Sequence, residues 1–249
     1  MTFTAFRSPA PLLIRSDLAQ YLIIKMWYYF LMYVKNSNLS SYKIGQLITE
    51  WIYNTPATTC ARRINIHRNT ANWWYNRIRY AIMSLPEPPP FDGTVEIDET
   101  YLGRKRAGIK GTGTKDKIPV FGIKQRKSGL VWASVVSWTD NNVLVPIIRR
   151  RVTPGTMILS DGFGAYYHLK KFGYRHHIVN HSYTYVTGRI VHTNGIESFW
   201  AYLKKLLEPR NGIRRDCYQI HVKEAVYRFN NKNNPYFRQH LIKMIKKYY

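Results

Sequence analysis

The chain changes its rhythm once, at a run of prolines. Pro86, Pro88, Pro89 and Pro90 fall within SLPEPPPFDG. Proline lacks a backbone N–H and fixes φ, so such a run ends helices and holds the chain extended. Before it, apolar residues recur at helical spacing; after it, they alternate. One switch of period predicts a helical part at residues 1–84, an extended linker at 85–91 and a mixed sheet-and-helix part at 92–230, with a basic helical tail at 231–249.

In the helical part, residues 42–53 (YKIGQLITEWIY) have helical spacing and stop at Thr55-Pro56. Residues 58–64 predict a short helix, Asn65 a turn, and residues 68–83 a longer helix with Trp73, Trp74, Ile78, Ala81 and Ile82 as its apolar stripe. This is a helix-turn-helix outline. Its second helix would carry Arg68, Asn69, Asn72 and Arg77 on or near the exposed side, where they suit phosphates and base edges in a major groove. A three-helix oligomerisation bundle gives the same pattern, so charge has to separate the two readings.

The charge is decisive. The 249 residues hold 38 Lys and Arg against 14 Asp and Glu, a formal net charge of +24, which calls for a polyanionic partner. Nucleic acid is the first candidate. A ribosomal protein seldom carries 15% aromatic and 45% apolar residues over this length. Residues 1–15 lack the pattern of a signal peptide, and the apolar run 18–34 is interrupted by Lys25 and closed by Lys35, short of a membrane span. That run predicts a core or dimer-facing helix. Cys60 and Cys217 lie far apart without a CxxC pair, so neither a zinc ribbon nor a disulfide framework is indicated and a reducing cytoplasm fits.

Beyond the prolines, residues 94–101 alternate, with Val95, Ile97 and Glu99 on one face and Glu96, Asp98 and Thr100 on the other. Residues 120–125 and 130–136 flank a polar turn containing Gly129 and predict a hairpin. A helix at 142–151, a strand at 156–160, a helix at 165–172, a strand at 175–180 and a helix at 196–207 follow, with further helices over 206–249. Three consecutive strands and then alternating units predict a mixed sheet flanked by helices, the order of the ribonuclease H-like fold.

Acids are scarce in this chain, so acids at the ends of apolar runs require a reason. VEIDETYLG presents Asp98 inside the first strand, MILSDGFGAY presents Asp161 after the fourth, and HTNGIESFW presents Glu197 near the start of the late helix. Three carboxylates brought together repel one another unless a cation lies between them, and Mg²⁺ or Mn²⁺ is the hard cation that carboxylate oxygens suit. Inside a basic protein, such a cluster points to phosphoryl transfer on nucleic acid.

Between Asp98 and Asp161 lie 62 residues, and between Asp161 and Glu197 lie 35. With IDETYLGRK, SDGFGAYYHL and HTNGIESFWAYLKK, residues 92–229 resemble the DDE transposases, and within them the compact prokaryotic insertion-sequence transposases related to Merlin elements (ISXO-like). The resemblance implies that Asp98, Asp161 and Glu197 hold two Mg²⁺ (or Mn²⁺) ions and catalyse cleavage at the ends of an insertion sequence followed by strand transfer into target DNA. It also implies a basic residue after the glutamate. Lys204 lies two helical turns beyond Glu197, on nearly the same face. Asn194 is the alternative third ligand, but a carboxylate binds a hard dication more strongly than an amide oxygen does.

The expected partners are double-stranded DNA, as terminal inverted repeats and target, and a second copy, because a homodimer or larger synaptic complex must hold two ends. No membrane partner is expected. The place of action would be the nucleoid of a prokaryotic cytoplasm, or the nucleus of a eukaryote. Segment 103–117 is rich in Gly and basic residues, among them Arg104, Lys105, Arg106 and Lys110, and reads as a phosphate-gripping loop. Lys204, Lys205, Arg210, Arg214 and Arg215 extend the basic surface, with Trp200 and Tyr202 offered for base stacking. Glu96 shares the strand face of Asp98 and reads as a solvated or ion-paired glutamate, with support of the metal site from behind as the alternative. His176, His177, His181 and His192 fit no common zinc spacing; His192 is instead a candidate donor to the scissile phosphate. Tyr101 lacks the Arg-His-Arg set of a tyrosine recombinase. Two rival readings remain: a ribonuclease H-like nuclease or resolvase that only hydrolyses, and an inactive DNA-binding remnant.

Overall fold

The computed structural model describes residues 37–103, 117–161, 164–166, 168–179, 194–210 and 212–248. The described residues up to Asn72, together with those from Arg238 onward, form one compact unit; those of Trp73–Phe237 form a second. The basic segment at 104–116, with Arg104, Lys105, Arg106 and Lys110, and the apolar run at 18–34 lie outside the described residues, as do His181 and His192.

In the first unit, α1 (Ser41–Ile52) starts at Ser40, whose hydroxyl accepts from the Lys43 N–H at 3.3 Å, a cap worth about 1 kcal/mol. Ile44, Leu47, Ile48 and Trp51 recur at helical spacing and are buried. The short helix α2 (Ala57–Ile64) ends at Asn65, which takes the left-handed φ of 51° that asparagine tolerates. Lys43 Nζ donates to the Asn65 carbonyl at 2.8 Å and steadies that turn. Helix α3 (Arg68–Met83) begins directly afterwards. Short helix, turn and longer helix fall where the sequence predicts them, with Arg68, Asn69 and Asn72 exposed.

Two residues of α3 in the second unit differ from expectation. Arg77 is only 8% exposed, its guanidinium lying 4.7 Å from the Trp73 ring and 5.2 Å from Trp74. Trp73, expected in the apolar stripe, is 53% exposed. The buried stripe runs through Trp74, Ile78, Ala81 and Ile82. Arg77 stands one turn from Trp74, so its aliphatic stem and flat head pack along the tryptophans.

The second unit is built on a five-stranded sheet of order β3-β2-β1-β4-β5, formed by β1 (Thr94–Leu102), β2 (Ile118–Gln125), β3 (Val131–Val135), β4 (Met157–Ser160) and β5 (Arg175–Ile178). The first three strands pair antiparallel, while β4 pairs parallel with β1 and with β5. This is the mixed ribonuclease H-like order. Alternation along the strands sends Val95, Ile97, Phe121 and Ile123 to one face, covered by α4 (Asn141–Arg151). It sends Leu102, Ile118, Val120, Val131 and Ala133 to the other, covered by α5 (Asn194–Leu207) and α6 (Tyr218–Asn230). Helix α5 approaches closely because Gly122 has no side chain: a Cβ there would stand 2.5 Å from Trp200 Cη2.

Residues 165–172 do not form the expected helix. They hold two short 3₁₀ turns, Gly164–Tyr166 and Leu169–Phe172, closed by Gly173 at φ 82°. Among its described residues Tyr166 and Leu169 are fully buried, and a spacing of three is the one a 3₁₀ turn stacks. Helix α7 (Phe237–Tyr248) ends the described chain.

Side chains from neighbouring elements finish the sheet. Asn230 of α6 accepts from the Val131 N–H at 2.9 Å and donates to the Val131 carbonyl at 2.8 Å, and Gln219 accepts from the Val135 N–H at 2.8 Å. The proline-rich segment is clasped through Glu87, which accepts from Trp132 Nε1 at 2.7 Å and Lys223 Nζ at 2.6 Å and lies 3.1 Å from Arg151 Nη2.

Candidate active site

Parallel pairing aligns the first two acids. Glu96 of β1 is in register with Leu159 of β4; two residues further along come Asp98, midway along β1, and Asp161, just past the end of β4, on neighbouring strands. Glu197 is in the first turn of α5, the helix packed on β1. Like charges therefore converge. Burial pushes the Asp98 carboxyl up to about 6; hydrogen bonds from Trp200 and the Glu99 N–H pull it down, and the charges of Asp161 and Glu197 push it further up. Glu99, turned to the opposite face of β1, is pushed up to about 8 by burial and then by the charges of Asp98 and Asp161. Its Oε1 is buried and, among the described residues, has no hydrogen-bond partner.

This donor set fits a hard dication. The groups are carboxylate oxygens; burial is the main cause of the raised Asp98 pKa, and the smaller part due to Asp161 and Glu197 is what a cation offsets. Among the described residues no three acid, histidine or cysteine side chains converge tightly enough to hold an ion as they stand.

The Asp98 carboxylate is held at both oxygens. Oδ2 accepts from Trp200 Nε1 at 2.9 Å and Oδ1 from the Glu99 N–H at 2.8 Å. Behind it, Glu96 is ion-paired as expected, Oε1 lying 2.7 Å from Arg126 Nε, while Oε2 accepts from the Ile196 N–H at 2.8 Å. Lys124 Nζ donates to the Gly195 carbonyl at 2.9 Å. Ser160 donates to the Asp161 carbonyl at 2.8 Å and meets His176 Nε2 at 2.8 Å. His176 is thus engaged with a hydroxyl, and burial lowers its pKa.

Lys204 is exposed and lines an open cleft of ≈ 590 Å³ with Tyr101, Gly103, Arg210 and Tyr218. Asn194, the first residue of α5, is exposed, as are Lys205, Arg214 and Arg215; Arg214 pairs with Asp216 at 2.7 Å. The stacking role expected of Trp200 and Tyr202 does not hold. Trp200 is 5% exposed and committed to Asp98, and Tyr202 packs against Phe229 with ring centroids 5.5 Å apart. Tyr101 shares a 2.9 Å hydrogen bond with Thr139. Sequence reasoning missed Trp200, Lys124 and Ser160 as partners of the site. A signal existed for Trp200, which stands three residues after Glu197 and so shares its side of the helix.

Residues 90–230 match the family model described as the ISXO2-like transposase domain. An "uncharacterized transposase-like protein" of Haemophilus influenzae is 35% identical over 101 residues, covering 41% of this chain and 81% of that protein. An "uncharacterized protein in transposable element ISH50" of Halobacterium salinarum is 29% identical over 160 residues, covering 57% of this chain and 54% of that protein, so the chain spans about half its length. Among solved structures, the catalytic core domain of HTLV-2 integrase, in complex with magnesium, aligns at 16% identity and a TM-score of 0.35, covering 56% of this chain and 84% of that one.

Proposed function

Because this chain belongs to the family of ISXO2-like transposase domains, we propose that it cuts DNA at the ends of an insertion sequence and joins the freed ends to target DNA, with Asp98, Asp161 and Glu197 as metal ligands. The observation that carries this reading is the placement of the three acids: Asp98 on β1, Asp161 just past its parallel neighbour β4, and Glu197 in the first turn of the helix packed on β1. In a chain of net charge +24, three mutually repelling acids in this arrangement mark a place built for a cation and a phosphate.

When bound there, two Mg²⁺ or Mn²⁺ ions supply activation of a water or a DNA 3′-hydroxyl and stabilisation of the departing 3′-oxygen. The chain's own groups do the rest by positioning. Trp200 and the Glu99 N–H fix the Asp98 carboxylate. Lys204 binds a phosphate in the cleft beside Tyr101, and Lys205, Arg214 and Arg215 continue the basic track. Arg104, Lys105, Arg106 and Lys110 follow β1 in sequence and add phosphate contacts. Helix α3 lays Arg68, Asn69 and Asn72 on the terminal inverted repeats, two copies or more holding two ends together.

Glu197 rather than Asn194 is the third ligand in this reading, supported by the Glu197 charge felt at Asp98. Labelled, pre-cut element ends incubated with plasmid and Mg²⁺ or Mn²⁺ test the function: joined product is expected. Cleavage without joining would identify a hydrolytic nuclease, and binding without either would identify an inactive DNA-binding protein.

A further inference from the structure

The helix that carries Glu197 receives a cap from a distant strand. The acceptor for the Ile196 N–H is Glu96, 100 residues earlier and in the middle of β1, at 2.8 Å. Glu96 is 3% exposed and its other oxygen is held by Arg126 at 2.7 Å, so the cap is clamped in place. A carboxylate at a helix N-terminus also meets the positive end of the helix dipole. Lys124 from β2 holds the same turn by its Gly195 carbonyl at 2.9 Å. Gly195 is what permits the approach: a Cβ there would collide with Glu96 Oε2. One turn on, Trp200 reaches back to Asp98 Oδ2 at 2.9 Å over the gap left by Gly122.

Strand and helix are therefore fastened at two points that bracket Glu197. The fastening also sets rotation. With Ile196 turned to the sheet, Glu197 lies about 60° around the helix from Trp200, and Asn194 about 120°. Because Trp200 is bonded to Asp98, the nearer of the two is turned towards that acid.

We propose that Glu96 and Trp200 are positioning residues for the metal site: Glu96 caps the Glu197 helix from the strand that carries Asp98, and Trp200 ties that helix to the Asp98 carboxylate, so that the two acids keep a set separation and Glu197, not Asn194, faces the ion. This rests on the reading of the acids as ligands, and it assigns to two residues outside the acidic triad the pre-arrangement on which ion affinity depends.

The test uses the whole chain and Mn²⁺ alone as the probe, by calorimetric titration, with affinity for a labelled DNA end measured in parallel. Glu96→Gln, Gly195→Ala and Trp200→Phe should each weaken Mn²⁺ binding by about 10- to 100-fold and leave DNA-end affinity unchanged. In cleavage, kcat should fall without a rise in KM for DNA, and excess Mn²⁺ should restore Trp200→Phe. Wild-type Mn²⁺ affinity in folded Glu96→Gln and Trp200→Phe overturns the proposal. If Glu96→Gln does not fold, folded Trp200→Phe decides alone, since it removes the N–H that reaches Asp98 together with part of a buried ring. Asp98→Asn separates the two levels. If it binds Mn²⁺ like wild type, the reading of the acids as ligands has failed; if it loses Mn²⁺ while the other variants keep it, only the positioning role has.

Discussion

Arg79 and Glu224 stand 145 residues apart in the sequence, and Arg79 Nε meets Glu224 Oε2 at 2.7 Å in the interior of the second unit. Arg210 and Arg228 converge on the same carboxylate, Arg210 with both Nη atoms and Arg228 at 2.8 Å. One fully buried acid thus joins α3, the segment after α5, and α6. Burial pushes the Glu224 pKa up, but the charges of Arg228, Arg79 and Arg210 overrule it and hold it well below the ordinary 4.5. A folded pKa below the unfolded one means that the folded state binds fewer protons, so the stabilisation is complete above about pH 4.5 and is lost as pH falls through the folded value. Glu224→Gln leaves three guanidiniums without their anion and should cost about 3–5 kcal/mol at pH 7. Thermal melts should show the gap from wild type narrowing below pH 4.5.

Addition of Mg²⁺ or Mn²⁺ should raise the melting temperature of the wild-type chain, since an ion that binds only the folded state stabilises it by mass action. Asp98→Asn and Asp161→Asn should abolish that rise. Glu197→Gln should abolish it and Asn194→Ala should not; the reverse pair of results would make Asn194 the ligand.

Lys204→Ala should leave the fold intact, because the side chain is exposed on α5, and should slow joining at saturating metal. Its loss should also reduce the slope of log affinity against log salt by about 1 for a single phosphate contact. An unchanged slope would remove Lys204 from the DNA path.

On α3, Asn69→Ala and Asn72→Ala should lower discrimination between the element's own ends and unrelated DNA by about 1–3 kcal/mol each while leaving non-specific binding in place. Arg77→Ala should behave differently. With the guanidinium packed on Trp73 and Trp74, its loss should lower the melting temperature and leave sequence preference unchanged.

Alternation and period made most of the fold legible. Residues 94–101 alternate, a polar turn with Gly129 marks the β2–β3 hairpin, Asn65 punctuates the short helix and α3, and α5 shows its apolar stripe in Ile196, Phe199, Trp200 and Leu203. The 3₁₀ connection was not legible, because two apolar residues three apart satisfy a tight turn and a short helix equally. Arg77 misled because a formal charge says nothing of a guanidinium lying flat on tryptophan. In the site, the three acids stand out by their rarity in a basic chain. What fastens them does not: the Glu96 cap spans 100 residues, and no local pattern encodes a partner at that distance.

The outer strand of the sheet has one further consequence. Exposed strand edges invite another chain to extend the sheet, yet the polar groups of Val131 and the N–H of Val135 on β3 are already taken by the amide side chains of Asn230 and Gln219. Helix α6 acts as a lid along that border, speaking the backbone's own donor and acceptor code. At this border the sheet is closed to extension by a strand of another chain.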